Sequence, residues 1–383
     1  MKKILFVIGT RPEIIKTAPV ILEARRRRRF RVKVCFTGQH QSMVDQMLRD
    51  FRIPVDFDLK VMKKNQTLTG LAARTITRLQ GVLEDVEPEM VLVQGDTTTA
   101  AMAALAAFYN RIAVGHIEAG LRTGDRFRPY PEEANRCLIS TLADLHFAPT
   151  PEAKSHLLAE GKDPGSVFVT GNTVIDALQY VWNLNRAFIN PRLRRIEADR
   201  KVILITIHRR ESFGIPLRNI CRAMADIARR HPEALLVYPV HMNPNVKKPV
   251  LEELSDIANV WLVDPLHYRD LVKLMQRSHF ILTDSGGIQE EAPSCNKPVL
   301  VLREKTERPE GVKLGVAKLV GADRKRIIST AELLLESHDF YSKMQLGRKK
   351  NPYGDGAASK RIMDKITRYF FRDISRSKGG SNR

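Results

Sequence analysis

Cysteine is scarce. Four residues, Cys35, Cys137, Cys221 and Cys295, are scattered over 383 positions with none of the close spacings of a metal site. That excludes a disulfide framework and a cysteine-built zinc site, and leads to the expectation of a reduced, cytoplasmic protein with free thiols. Long apolar runs are missing too. No stretch approaches the roughly 20 residues a membrane span needs, and the run at 4–8 is too short for a secretory leader, so it reads as a first buried strand. Acidic residues are in deficit, 43 Asp and Glu against 63 Lys and Arg, which leaves a net charge of +20. Aromatic residues reach only 7%, and no aromatic interleaving, helix-turn-helix or strand-stacking motif accompanies the basic excess. Much of that excess lies in the arginine run at 25–29 with Arg31 and in the tail at 372–383. A solvated basic face is therefore expected, with no nucleic-acid partner.

What is present is regular alternation. The length suits two domains of about 150–200 residues. Apolar runs at 4–8, 32–37, 90–93 and 111–117 alternate with helical patterns over about 12–27, 40–51 and 97–109, and further strands are expected at 145–149 and 167–170. A helix over about 173–184 leads into an Arg- and Asn-rich stretch without a clear strand. A second alternating series then follows, with strands at 202–207, 235–239, 260–263, 280–283 and 298–302. The expectation is an α/β protein of two doubly wound, Rossmann-like parallel-sheet domains facing across a cleft. Residues 1–171 with a returning terminal helix in 357–383 form the first domain, and residues 172–356 form the second.

The chemistry-bearing residues fall where strands end. Segment 116–136 packs Glu118, Asp125, Glu132 and Glu133 among four arginines, directly after a strand. It reads either as a salt-bridge network or as a site that moves protons beside a bound anion. At 9–16, Gly9 and Pro12 suit a strand-to-helix turn, and backbone amides with Arg11 and Lys16 suit an anion. A plain turn is the alternative. Asp96, in Gln94-Gly-Asp-Thr-Thr-Thr99, can cap the next helix or face a ligand. His208 with Arg209 and Arg210 at a strand end suits a phosphate-bearing ligand, with His208 donating to a departing phosphate oxygen. In Thr283-Asp-Ser-Gly-Gly-Ile-Gln-Glu-Glu291, Ser285, Gly286 and Gly287 open a helix that could cradle a diphosphate. Glu291, deeper in that helix, suits sugar hydroxyls. Arg308 is expected at the end of the last strand of the second domain.

Together the segments GTRPEIIK, TGQH, QGDTTTA, HIEAGLRTGD, PYPEEANR, TGNTVIDAL, HRRESFG, YPVHMNPNV, DSGGIQEEAPS, TERPEG and NPYGDG span residues 9–356 in one order. In that order they resemble the non-hydrolysing UDP-N-acetylglucosamine 2-epimerases. The resemblance implies a glycosyltransferase-B-like fold and an isomerase, usually a homodimer, that works without metal or other cofactor, in cell-surface polysaccharide biosynthesis. It implies reversible epimerisation at carbon 2 of UDP-N-acetylglucosamine, through loss and return of UDP and a 2-acetamidoglucal intermediate. By resemblance Asp96, Glu118, Glu132 and His208 are catalytic. Arg11, Ser285, Gly286, Gly287 and Arg308 match diphosphate contacts and Glu291 a ribose contact, while Lys16, Arg136 and Arg209 are further substrate-binding candidates. Arg136 is expected to orient a carboxylate, and Asp125 and Glu133 to form ion pairs.

The chain departs from the family pattern in two places. Leu266 and Leu271 differ from it on the uracil side. Gln39 and His40 match an allosteric site of some members, but Ser42 and Asn65 stand where Gln and Arg are expected, which argues against allosteric activation. A UDP-2,3-diacetamido uronic acid is an alternative substrate, and a retaining UDP-sugar glycosyltransferase an alternative enzyme.

Overall fold

The computed structural model describes residues 1–38, 41–63 and 66–371. Gln39, His40, Asn65 and the tail lie outside those residues, as does the Ser42 side chain. The chain divides into two compact units, Met1–Ala177 with Tyr353–Arg383, and Leu178–Pro352.

In the first unit, strands and helices alternate as β1 (Lys2–Ile8), α1 (Arg11–Arg26), β2 (Phe30–Phe36), α2 (Gln41–Asp50), β3 (Phe57–Asp58), α3 (Leu68–Val86), β4 (Met90–Gln94), α4 (Thr98–Tyr109), β5 (Ala113–Ile117), α5 (Glu132–Leu142), β6 (Leu145–Ala148), α6 (Pro151–Ala159) and β7 (Val167–Val169). Helix α7 (Thr173–Asn183) is shared between the units. The seven strands are all parallel in the order β3-β2-β1-β4-β5-β6-β7. Ile4 to Ile8 and all of β4 are buried, the near-continuous apolar runs of strands covered on both faces. Alanine makes α4 thin enough to pack against both α3 and α5, with Ala100, Ala101, Ala103, Ala104 and Ala107 fully buried. A larger residue there would cost about 1–3 kcal/mol.

The second unit runs β8 (Lys201–Thr206), α8 (Ile215–Arg230), β9 (Ala234–Pro239), α9 (Pro244–Leu254), β10 (Val260–Val263), α10 (Tyr268–Arg277), β11 (Phe280–Thr283), α11 (Gly286–Glu291), β12 (Val299–Val301), α12 (Pro309–Lys313), β13 (Ala317–Leu319), α13 (Arg324–Glu336) and α14 (His338–Met344). Its six parallel strands are ordered β10-β9-β8-β11-β12-β13. Each sheet therefore has a switch point where the chain order reverses, β1 beside β4 and β8 beside β11. In doubly wound sheets ligands bind at the carboxyl ends of those strands.

Helix α15 (Ala358–Phe371) returns to pack on α1 of the first unit. Asp176 at its start accepts from the amides of Ala358 (3.2 Å) and Ser359 (2.8 Å) and from the Ser359 hydroxyl (2.6 Å). Arg27 reaches Asp364 at 2.8 Å and the Lys360 carbonyl at 3.0 Å. This corrects the reading of the arginine run as uniformly solvated: Arg27 is a tie between two helices, whereas Arg28 and Arg29 are exposed. Two further corrections concern individual elements. Strands β3 and β13 and helices α3, α5 and α6 were not foreseen, and because β13 follows it, Arg308 does not stand at the end of the last strand but at the start of α12.

Candidate functional site

In the first unit the site grows from β1, β4 and β5. Gln94 and Ile117 are paired in register, so Asp96 and Glu118 emerge from neighbouring strand ends. Thr97 caps α4, its side chain accepting from the Ala100 amide at 3.0 Å. Asp96 is thus released from the capping role the sequence allowed it. Its carboxylate accepts from Arg136 Nε at 2.9 Å and Nη2 at 2.7 Å, and Asn135 holds its carbonyl at 2.8 Å. Arg136 also binds Glu133 at 2.7 Å, and Glu133 in turn accepts the Thr123 and Gly124 amides at 2.9 and 3.2 Å. Arg136 and Glu133 orient Asp96 and the loop before α5. Asp125 makes an exposed pair with Arg128 at 3.8 Å.

Glu118 sits at φ 64°, a left-handed conformation a non-glycine residue adopts at a cost. Its carboxylate receives the Lys16 ammonium, the Gln94 amide and, at 3.1 Å, the Asn172 amide. The side chain is only 6% exposed. Three donors from three separate segments fix one acid. Lys16, read from the sequence as an anion contact, is placed on a protein carboxylate. Glu132 opens α5, and its Oε2 is sealed from solvent with no hydrogen-bond partner among the described residues.

The 9–16 turn corrects the sequence reading. Thr10 and Glu13 form a capping box, and the Glu13 carboxylate takes the Gly9 and Thr10 amides at 3.0 and 2.6 Å, amides the sequence reading had aimed at an anion. Glu13 also accepts from the Thr97 hydroxyl at 2.8 Å, which locks the β1 and β4 turns together. Burial raises the Glu13 pKa against those bonds. Arg11, the first residue of α1, is partly exposed at this end.

In the second unit the organiser is Asp284, fully buried at the end of β11. It accepts from the amides of His208 (3.1 Å) and Arg209 (2.9 Å) and the hydroxyl of Ser212 (2.9 Å), so one carboxylate shapes the whole loop after β8. The His208 ring, 46% exposed, lies 3.4 Å from Asp284 and stacks on His241 with centroids 6.3 Å apart. Desolvation pulls the imidazole below its ordinary pKa, with Asp284 opposing.

Ser285 precedes α11, and Gly286 makes room for Arg308: a Cβ there would lie 2.9 Å from the guanidinium carbon. Arg308 is held to Glu290 at 2.9 Å and faces Glu307 at 3.5 Å. Burial raises the Glu307 pKa, but Arg303 and Arg308 overcome it and bring it to about 2. Glu291 is buried and accepts from the Tyr268 hydroxyl at 2.5 Å. Asp284, Asn172, Glu13 and His241 escaped assignment from sequence, although each lies inside a quoted motif.

These features define a class: a two-unit, glycosyltransferase-B-like α/β protein of doubly wound parallel sheets, with acids on the switch point of one unit and a cationic, glycine-opened turn on that of the other. The family model for UDP-N-acetylglucosamine 2-epimerase matches residues 22–367. The Escherichia coli K12 UDP-N-acetylglucosamine 2-epimerase is 49% identical over 372 residues, covering 95% of this chain and 98% of that one. The crystal structure of the Neisseria meningitidis UDP-GlcNAc 2-epimerase bound to UDP-GlcNAc is similar at a TM-score of 0.90 and 50% identity, over 96% of this chain and 100% of that one. That of the Methanocaldococcus jannaschii enzyme with UDP-GlcNAc and UDP gives 0.80 and 32%, over 95% and 99%. The chain belongs to the UDP-N-acetylglucosamine 2-epimerase family.

Proposed function

We propose that this chain interconverts UDP-N-acetylglucosamine and UDP-N-acetylmannosamine by inverting carbon 2, without metal or nicotinamide. A carboxylate takes the carbon 2 proton, the carbon 1–oxygen bond breaks with its electron pair leaving on UDP, and a carbon 1–carbon 2 double bond forms. Return of the proton to the opposite face and of UDP to carbon 1 completes the reaction. The observation that carries this reading is Glu118, a buried acid in a left-handed conformation and gripped by Lys16, Gln94 and Asn172. Left-handed backbone at a non-glycine residue is strain of the kind that collects at active sites, and the three donors fix where the carboxylate stands; positioned acid–base help is typically worth about 10²–10⁴ in rate.

Asp96 and Glu132 complete the acid set. Glu132, one of whose oxygens has no hydrogen-bond partner among the described residues, is suited to exchanging a proton with the sugar. Arg308, Arg209, His208, Arg11 and the Ser285–Gly286–Gly287 turn stabilise the departing diphosphate, and Glu291 binds ribose hydroxyls. The chemistry calls for both sets of residues to act on one substrate. The enzyme is expected to act as a homodimer in the cytoplasm, in cell-surface polysaccharide biosynthesis.

Incubation with UDP-N-acetylglucosamine alone, followed by NMR, tests the reading. UDP-N-acetylmannosamine should appear. A glycosyltransferase would leave the sugar unchanged without an acceptor, a hydrolysing enzyme would release UDP and N-acetylmannosamine, and a uronic-acid epimerase would turn over only the acidic sugar nucleotide.

A further inference from the structure

The second unit carries a cavity of about 330 Å³ between the end of α7 and α10, lined by Trp182, Arg186, Arg269, Val272, Lys273 and Gln276 among others. None of its lining residues belongs to the site above. Arg269, Val272, Lys273 and Gln276 follow an i, i+3, i+4, i+7 spacing, so one face of α10 forms a wall. Three cations line the space and no acid does. The nearest acid in sequence, Asp270, is engaged elsewhere, accepting the amides of Ile189 at 2.7 Å and Asn190 at 2.8 Å.

Two lining atoms, Arg269 Nε and Gln276 Nε2, are sealed from solvent and have no acceptor among the described residues. Buried donors are normally paired, because leaving them unpaired costs free energy. Two of them in one cationic wall call for an acceptor brought from outside. Lys273 spends one donor on the Arg186 carbonyl at 3.0 Å, and an ammonium has three.

We propose that this cavity binds a small phosphate-bearing organic anion of the sugar phosphate class, apart from the UDP-sugar site. The phosphate pairs with Lys273 and the Arg269 guanidinium, and a turn of the side chains brings the now sealed Arg269 Nε and Gln276 Nε2 donors onto it. The volume exceeds what a bare phosphate fills and falls in the usual range of small-molecule sites. The half-exposed Trp182 ring and the Asn183 and Asn185 amides suit a hydroxylated ring.

The test uses the full chain titrated with glucose 6-phosphate, by calorimetry and by tryptophan emission. One saturable site is expected, with an emission change that disappears in Trp182→Phe and displacement by inorganic phosphate. Arg269→Gln and Lys273→Met should each weaken binding about tenfold or more, the effect of losing a charge-assisted hydrogen bond. Saturating UDP should not displace the ligand. Should Arg269→Gln fail to fold, Lys273→Met carries the same reading. Absence of saturable binding up to about 10 mM, affinity unchanged in the variants, or displacement by UDP would each overturn the proposal. All of these readouts are independent of turnover, so failure here and failure of the epimerase reading can be told apart.

Discussion

Gly286 and Gly287 look equivalent in sequence, yet the structure separates them. A methyl group on Gly286 would stand 2.9 Å from Arg308 Cζ, 3.0 Å from Nη1 and 3.1 Å from Nε, whereas one on Gly287 would meet nothing closer than 3.9 Å. Arg308 cannot simply swing away, because Glu290 holds it at 2.9 Å and its side chain is only 12% exposed. Gly286→Ala should therefore behave as an overpacked site and lose about 1–3 kcal/mol. Gly287→Ala should be neutral or gain a few tenths of a kcal/mol from helix propensity. For a unit of this size 1 kcal/mol corresponds to about 2–4 °C, so the transition of the second unit should fall by roughly 2–12 °C in the first variant only. Differential scanning calorimetry reads this without ligand. Titration with UDP should then show weaker binding in Gly286→Ala, about tenfold or more if the displaced guanidinium loses one charge-assisted bond. A Gly286→Ala protein with unchanged melting and unchanged UDP affinity would refute the packing argument.

Asp284→Ala removes the acceptor of two backbone N–H groups and a hydroxyl; at about 1–3 kcal/mol for a stranded buried donor, it should be visible as a lower melting temperature of the second unit. Glu118→Gln should leave the fold intact by circular dichroism and cut turnover by about 10²–10⁴. His116 and His146 are register partners in β5 and β6, and desolvation depresses their pKa values to about 3 and about 4. Such groups cost nothing while both states are neutral, so stability is fully present above the unfolded value of about 6.5 and is lost as pH falls through the window from there to about 3. Each histidine should remove up to about 3 kcal/mol by pH 4, and His146→Leu should lower the acid midpoint in a circular dichroism titration. Cys137 is exposed while burial pushes the Cys35, Cys221 and Cys295 thiols up to about 12, so a thiol reagent should label Cys137 alone in the native protein and all four cysteines after denaturation.

The parallel sheets were legible because buried strands write continuous apolar runs into the sequence, as at Met90–Gln94 and Phe280–Thr283. Strands β3 and β13, of two and three residues, are too short to leave a period, and they sit at sheet edges where few side chains are buried. The acids were legible as a cluster but not as individual roles. Asp284 and Glu118 take their meaning from partners 72–76 and 24–102 residues away, distances no local pattern spans. Glu13 is different: Thr10-x-x-Glu13 is a capping-box spacing present in the sequence itself, but the glycine, arginine and lysine around it also suit an anion. Asn172 and Asp176 could not have been paired with Glu118 and α15 from sequence, since their partners lie 54 and 182 residues away.

In the proposed reaction the carboxylates of the first unit remove and return a proton at carbon 2 while UDP departs and comes back. Incubating the protein with UDP-N-acetylglucosamine in deuterated water and reading carbon 2 by NMR and mass spectrometry tests it directly. Deuterium should accumulate at carbon 2 in both UDP-N-acetylglucosamine and UDP-N-acetylmannosamine. An epimerised product that retained its original proton, or no exchange at all, would contradict the account.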